Sequence, residues 1–162
     1  MKIFLPIFVS IVSFTINAQV TKCDTVSSLN KEIIRVLEPF KGKKIDRGEC
    51  WDVVKFALDK TGASWDGLND FGQEYDYKKG CVAPGDVIRF EKVELEWTDE
   101  KRITYTETFY HHYAIVYSVS EDGVMQIIHQ NTGQFGRKVG VSKLDLTTMK
   151  KGMLFFYRPT TN

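Results

Sequence analysis

The sequence predicts an α+β fold, with helices in the first half of the chain packed on an antiparallel β-sheet formed by the second half. Two observations predict it. Apolar residues recur at helical spacing as far as Gly62, whereas from Gly85 onward they alternate with polar residues, as in strands with one buried face. Helices and strands thus occupy separate stretches of the chain, which is typical of α+β proteins.

Residues 1–18 are predicted to be a secretory signal peptide, and residues 19–162 a single domain. Lys2 precedes an almost unbroken apolar run over residues 3–16, and Ala18 supplies the small residue before the expected cleavage site. No later stretch is apolar enough to span a membrane, so we expect a soluble protein in the periplasm or secreted medium. We also expect a monomer.

The net charge argues against nucleic acid and anionic membranes as partners. The full chain has 22 basic and 21 acidic residues, and removal of the predicted signal peptide takes away one lysine and no acid, so 21 bases face 21 acids. The composition therefore gives no indication of binding to nucleic acid or to an anionic membrane surface.

The first helix is predicted over residues 27–39, with Ser27 or Ser28 as its N-cap and Pro39 at its end. The second is predicted to begin at Cys50 and to end before a glycine suited to the C-cap. One face of this second helix is apolar and is expected to be buried: Cys50, Val53, Val54, Ala57 and Leu58. The other face is expected to be exposed and carries Asp52, Lys55, Asp59 and Lys60.

Cys50 therefore stands at a helix N-terminus. Unsatisfied backbone N–H groups and the helix dipole favour an anion there, so we expect a lowered pKa for the Cys50 thiol and thiolate at neutral pH. Gly48 would let the chain turn sharply into the helix and let a substrate carbonyl approach closely. The alternative is that Cys50 is a small buried residue of the first turn.

The two other cysteines are expected to pair with each other. Cys23 lies near the mature N-terminus and Cys81 in a loop before Pro84, and a bond between them would leave Cys50 free. Pairing of Cys50 with either cysteine remains an open alternative at this point, and it would end the enzyme hypothesis.

Five strands are predicted in the second half of the chain. They begin at Val87 and cover residues 87–97, 103–110, 111–120, 124–131 and 153–157. The turn at 121–123 joins two of them as a hairpin that holds all three histidines of the chain.

Neighbouring residues in a strand point to opposite faces, so only one of His111 and His112 can face a site. We expect His111 to share its face with Phe109, Tyr113 and Ile115, and His112 to face Cys50. An imidazole that takes a proton from a thiol needs a partner on its second nitrogen, and either His129 or Asn131 of the next strand would serve. The alternative is that these histidines belong to the core or the surface.

Four segments in this order resemble the CHAP (cysteine, histidine-dependent amidohydrolase/peptidase) family and the related NlpC-type cell-wall peptidases. They are residues 48–54, 84–90, 112–116 and 128–131, and the likeness covers roughly residues 45–157. Both families have a compact papain-like fold, with N-terminal helices packed on an antiparallel sheet.

The resemblance implies Cys50 as the nucleophile and His112 as the general base, without metal or cofactor. CHAP enzymes usually have a carboxylate at the third position, followed two residues later by asparagine, whereas this chain has His129 followed by Asn131. Histidine at the third position is typical of NlpC-type enzymes, and either residue remains a candidate for orienting His112. The segment between Asp86 and His112 is longer than in a minimal CHAP domain and would shape the substrate groove.

The resulting functional hypothesis is an exported cysteine amidase or peptidase that acts on peptide or amide bonds of peptidoglycan, with its stem peptides as the partner. Two alternatives remain. One is a catalytically silent module that binds peptide, glycan or a partner protein through the aromatic segment at residues 65–77. The other is an acyltransferase or deamidase on the same scaffold.

Overall fold

The computed structural model describes residues 20–161, and the predicted signal peptide lies outside them. The helices are α1 (Ser28–Leu37) and α2 (Cys50–Thr61). The strands are β1 (Thr21–Lys22), β2 (Gln73–Tyr75), β3 (Cys81–Val82), β4 (Val87–Thr98), β5 (Thr104–Val119), β6 (Met125–His129), β7 (Gly140–Leu144) and β8 (Met149–Arg158). Within this part of the chain, no helix is both long and apolar enough to cross a membrane.

Six strands form one antiparallel sheet in the order β2-β8-β4-β5-β6-β7, and the two helices pack on one of its faces. A separate two-stranded parallel pair joins β1 to β3. The predicted α+β class is therefore confirmed. The two strands expected over residues 103–120 are one continuous strand, β5, while β7 was not predicted at all.

Capping residues mark the start of α1 and both ends of α2. Ser27 caps α1 by accepting a hydrogen bond from the Asn30 backbone, and Gly62 ends α2 in the left-handed conformation with φ of 66°. The expectation of an exposed Asp52 is wrong: its side chain is buried because it accepts the Glu49 backbone N–H at 2.9 Å, closing a capping box. Capping thus overrides the helical pattern at this position.

The sheet separates two apolar clusters. The helix-side cluster lies between the helices and the sheet and includes Val53 of α2 and Ile115 of β5. The far-side cluster lies on the other face and includes Phe90, Ala114 and Val116. Alternate residues of β5 therefore contribute to different clusters, as the strand pattern predicts.

The alternation is interrupted at Lys92. This residue has a φ of 53°, and as a result Phe90 and Val93, three positions apart, both join the far-side cluster. Phe109, the partner of Val93 in β5, likewise lies on the face of His112, with ring centroids 4.9 Å apart. The expectation that Phe109 shares a face with His111 is therefore wrong.

The N-terminal segment is held by a disulfide and a buried ion pair. Cys23 and Cys81 are bonded, with Cα atoms 4.9 Å apart, and Cys50 is free, as expected.

Next to the disulfide, the fully buried carboxylate of Asp86 accepts hydrogen bonds from Arg158, Asn30 and Tyr75. This cluster, the Asp86 anchor, joins α1, β2 and the end of β8 to the start of β4.

Candidate active site

Cys50 is the first residue of α2, and the backbone turns into the helix at Gly48. Gly48 has a φ of +90°, a conformation that residues with a Cβ rarely adopt. A Cβ at Gly48 would lie 2.7 Å from the Cβ of Arg137, so the Arg137 side chain fills the space next to Gly48. The sharp turn is as expected, and a side chain at this position would collide with Arg137.

The electrostatic environment of Cys50 differs from the expectation. Burial is the largest effect and raises the pKa of the thiol. The backbone amides of Tyr113 and Trp51 act in the opposite direction, and the Glu49 carboxylate adds a smaller increase. The expected lowering of the Cys50 pKa by the helix N-terminus is therefore wrong, because desolvation outweighs the amides.

Two histidines and a serine form a hydrogen-bonded chain, which we call the histidine relay. Nε2 of His112 lies 3.0 Å from Nδ1 of His129, and Nε2 of His129 lies 2.6 Å from Oγ of Ser142. His112 is 5% exposed and His129 is not exposed. The relay thus links β5, β6 and β7 beneath the surface.

Burial also determines the charge of the relay. It lowers the pKa of His112 to about 3, with a further contribution from His129, and the pKa of His129 to about 4. Phe90 and Phe109 pack against the His112 ring, and Phe135 packs against His129. Both imidazoles are therefore neutral at pH 7, and each carries one ring proton.

Cys50 approaches the relay from the other side of β5. Pairing of β5 with β6 ends at Ile115 and Ile128, so Tyr113 lies beyond the paired stretch and its amide is available to the Cys50 sulfur. Tyr113 directly follows His112. No hydrogen bond joins Cys50 to His112 among those of residues 20–161.

The expected orientation of the two adjacent histidines relative to α2 is reversed. Tyr113 and Ile115 pack on the helix side, and His111 lies with them, its Nε2 being 2.9 Å from the Tyr113 hydroxyl. His112 points into the far-side cluster. The sulfur of Cys50 therefore meets β5 at its backbone, between the faces that carry the two imidazoles.

The two candidates for orienting His112 are now distinguished by position. His129 is hydrogen-bonded to His112, as expected. Asn131 does not hydrogen-bond His112; its amide nitrogen donates instead to the Glu49 carboxylate at 2.7 Å, which connects it to the cap of α2.

Sequence reasoning missed two further residues. Gln130 is fully buried, and its side-chain amide bonds the backbone of Ile45 and the carbonyl of Glu49, so the end of β6 clamps the loop that leads to Cys50. Gln130 lies between two candidate site residues, His129 and Asn131, and this position was the signal in the sequence that could have identified it. Ser142 had none, because β7 itself was not predicted.

The aromatic segment after α2 is fixed by its own contacts. Phe71 is fully buried, with its ring centroid 5.7 Å from that of Trp51 and 5.6 Å from that of Tyr113. Trp65 stacks on Phe71 and lies 5.5 Å from Trp51. These rings anchor the loop over the start of α2.

In the described part of the chain, no group of three or more His, Cys, Asp and Glu residues is arranged to hold a metal ion. The side chains at the site instead offer a thiol, two neutral imidazoles and a hydroxyl. This set suits nucleophilic and acid–base chemistry.

Comparison with known proteins supports the same fold. No curated protein matches the chain. Among solved structures it is similar to one described as "The crystal structure of Ly7917 with the hydrolyzing product of MDP", at 14% identity with a TM-score of 0.51. The likeness covers 82% of this chain and 63% of the other, so this chain spans less than two thirds of that protein.

The sequence also matches a family model, the AIM3/BBC1 cysteine proteinase-fold domain, over residues 24–162. That match includes both helices, the whole six-stranded sheet and every residue of the relay. Together with the solved structure it supports a papain-like cysteine-protease fold. The chain therefore belongs to the AIM3/BBC1 cysteine proteinase-fold domain family.

Proposed function

We propose that the protein is an exported cysteine amidase or peptidase of the CHAP/NlpC type, which hydrolyses peptide or amide bonds of peptidoglycan. The observation that carries this proposal is the buried relay from Ser142 through His129 to His112. It ends one residue before the amide that meets the Cys50 sulfur. A nucleophile, a base and a partner for that base are the parts that covalent acyl transfer requires.

The relay supports His112 as the base because it permits a consistent set of proton positions. His112 can accept a thiol proton at Nδ1 only if Nε2 carries its own proton and donates to Nδ1 of His129. His129 then carries its proton on Nε2 and donates it to the Ser142 hydroxyl. Each buried N–H of the relay thereby has an acceptor.

The neutral resting state determines the order of steps. Since burial raises the pKa of Cys50 and lowers that of His112, the thiol proton moves to the imidazole as the sulfur attacks the scissile carbonyl. Backbone N–H groups at the start of α2 and at Tyr113 stabilise the oxyanion. The His112 imidazolium then protonates the leaving amine, and water attacks the thioester to release the acyl group.

Three observations support an exported enzyme of the cell wall. Residues 1–18 have the pattern of a signal peptide, and the Cys23–Cys81 disulfide suits an oxidising compartment. The similar solved structure is described with the hydrolysing product of MDP, a ligand of that protein. Localisation and substrate class are part of the proposal.

A catalytically silent binding module is the second candidate, and one observation favours it. The Cys50 thiol makes no hydrogen bond to His112 among the described residues, and its pKa is raised. In a silent relative, the same buried residues would serve stability alone. Free enzymes with loose catalytic contacts that tighten on substrate binding would show the same geometry.

Incubation of purified peptidoglycan with four proteins tests the proposal: wild type, Cys50→Ala, His112→Ala and the control His111→Ala. New amine ends should appear with wild type and His111→Ala, because His111 is half-exposed and bonds Glu91 and Tyr113 instead of the relay. They should be absent with the other two. Equal release by wild type and Cys50→Ala contradicts the proposal.

A further inference from the structure

A groove of about 550 Å³ opens on the far side of the sheet, beside the relay. It lies between the long β4–β5 hairpin, which contributes Trp97 and Glu107, and β7, which contributes Ser142. Gln134 of the loop after β6 also lines it. One end of the groove therefore touches the relay through the Ser142 side chain.

The groove continues the inner face of the sheet beyond the apolar core. Leu95 and Glu107 are cross-strand partners, as are Trp97 and Tyr105, so all four side chains point to the face that carries Phe109. Leu95 is buried there, whereas Trp97 is 40% exposed. The hairpin thus extends past the region that the core fills and leaves its inner face open.

An aromatic platform forms one wall. The rings of Trp97 and Tyr105 are stacked, with centroids 5.7 Å apart and an angle of 16° between their planes. Trp97 lines the groove and Tyr105 does not, so the Tyr105 ring supports the indole from outside the groove. An exposed aromatic ring supported from behind is a rigid surface on which a flat ligand ring can lie.

Polar groups without partners surround this platform. Among the hydrogen bonds and ion pairs of residues 20–161, none involves the side chain of Glu107 or of Gln134. Glu107 is partly buried, and burial raises the pKa of its carboxyl. A partly desolvated carboxyl usually has a partner, so Glu107 is suited to a ligand, and the exposed amide of Gln134 is free to reach the same ligand.

The charges of the groove disfavour an anionic ligand. Lys143 is paired with Asp145, and Glu107 adds one more carboxyl, so no excess of positive charge is present to hold a phosphate or a carboxylate. A ligand with many hydroxyl groups and one apolar ring face matches the indole, the amide and the carboxyl together.

We propose that this groove binds a neutral oligosaccharide, with one sugar ring lying on Trp97 and its hydroxyl or acetamido groups hydrogen-bonded to Glu107 and Gln134. The inference does not depend on hydrolysis by Cys50. It adds a binding site on the opposite side of β5 from α2, and that site contacts the relay through Ser142.

Calorimetric titration of the Cys50→Ala protein tests this site without cleavage of the ligand. The probes are chitotetraose, which carries acetamido groups, cellotetraose, which does not, and tetra-alanine as a peptide. At least one of the two saccharides should bind with a dissociation constant of about 1 mM or below. Trp97→Ala should weaken that binding about tenfold or more, and Glu107→Gln severalfold. The matched control is Tyr110→Ala, because Tyr110 is 72% exposed and lies outside the groove.

Three outcomes overturn the proposal: neither saccharide binds, only tetra-alanine binds, or Trp97→Ala and Tyr110→Ala have equal effects. Backbone amide spectra of the Trp97→Ala protein show whether its hairpin remains folded. If it does not, Glu107→Gln decides, because unchanged saccharide binding by that variant also overturns the proposal.

Discussion

Removal of the Ser142 hydroxyl is the most informative perturbation of the relay. In Ser142→Ala, the buried Nε2 of His129 loses the acceptor that lies 2.6 Å away. An N–H left without a partner in this position costs about 1–3 kcal/mol. The pair escapes this cost by moving both protons: His129 then carries its proton on Nδ1 and donates it to His112, which carries its own on Nδ1.

That shift places a proton on the nitrogen that must accept one from the thiol. A bias of about 1–3 kcal/mol changes the ratio of the two tautomers by a factor of about 5–150, since 1.4 kcal/mol corresponds to a factor of ten. We therefore expect hydrolysis to fall by about one to two orders of magnitude in Ser142→Ala, without a comparable change in KM. His129→Ala removes the partner of His112 altogether and should cost about 10²–10⁴-fold.

The assay combines turnover with the ¹⁵N chemical shifts of the His112 ring, which report which nitrogen carries the proton. Ser142→Thr retains a hydroxyl and should show the wild-type tautomer. Ser118→Ala removes a serine of β5 that lies outside the relay, and it should leave both readouts unchanged. If Ser142→Ala keeps the wild-type ¹⁵N pattern and the wild-type rate, the tautomer argument is refuted.

Three further predictions concern the whole protein. Alkylation of Cys50 in the free protein should accelerate up to and beyond pH 9, because burial raises the thiol pKa; a plateau of full reactivity below pH 8 would show a thiolate–imidazolium pair instead. Urea midpoints should be constant between about pH 8 and 6.5 and fall from there towards pH 4, because the unfolded chain binds protons at His112 and His129 that the folded protein excludes; equal midpoints at pH 7.5 and 5 would contradict this. Replacing Cys23 and Cys81 by alanine opens a loop spanning 58 positions and should lower the free energy of unfolding by about 4 kcal/mol, measured by urea denaturation against Cys50→Ala as control.

The parts of the site that were predictable depend on local rules. The start of α2 at Cys50 follows from helical periodicity, and the contact between His112 and His129 follows from the turn at 121–123 and the two-residue strand period. Both involve residues close together in the sequence or joined by a short hairpin.

The parts that were not predictable depend on competition between effects. Asp52 fits the exposed face of α2, yet the unsatisfied amides of the first turn bind its carboxylate and bury it. The helix N-terminus should lower the pKa of Cys50, yet packing against β5 desolvates the thiol more strongly. In both cases the two competing effects can be identified from the sequence, but which of them is larger cannot.

Long-range geometry was the other limit. The positive φ of Lys92 interrupts the strand period, and a lysine at that position carries no signal for it. Gly152 of β8 passes so close to Lys92 that a Cβ there would lie 2.5 Å from the Lys92 carbonyl oxygen, so the irregularity depends on a residue sixty positions later in the chain.

The Asp86 anchor has a consequence for the order in which the chain can fold. Asp86 is fully buried just before β4, but the guanidinium that neutralises it belongs to Arg158, 72 positions later in the chain. A buried carboxylate without its partner costs about 3–5 kcal/mol, so a nascent chain that ends before Arg158 gains little from closing the sheet around Asp86. Burial of Asp86 must therefore wait until Arg158 has been synthesised and β8 can pair with β4.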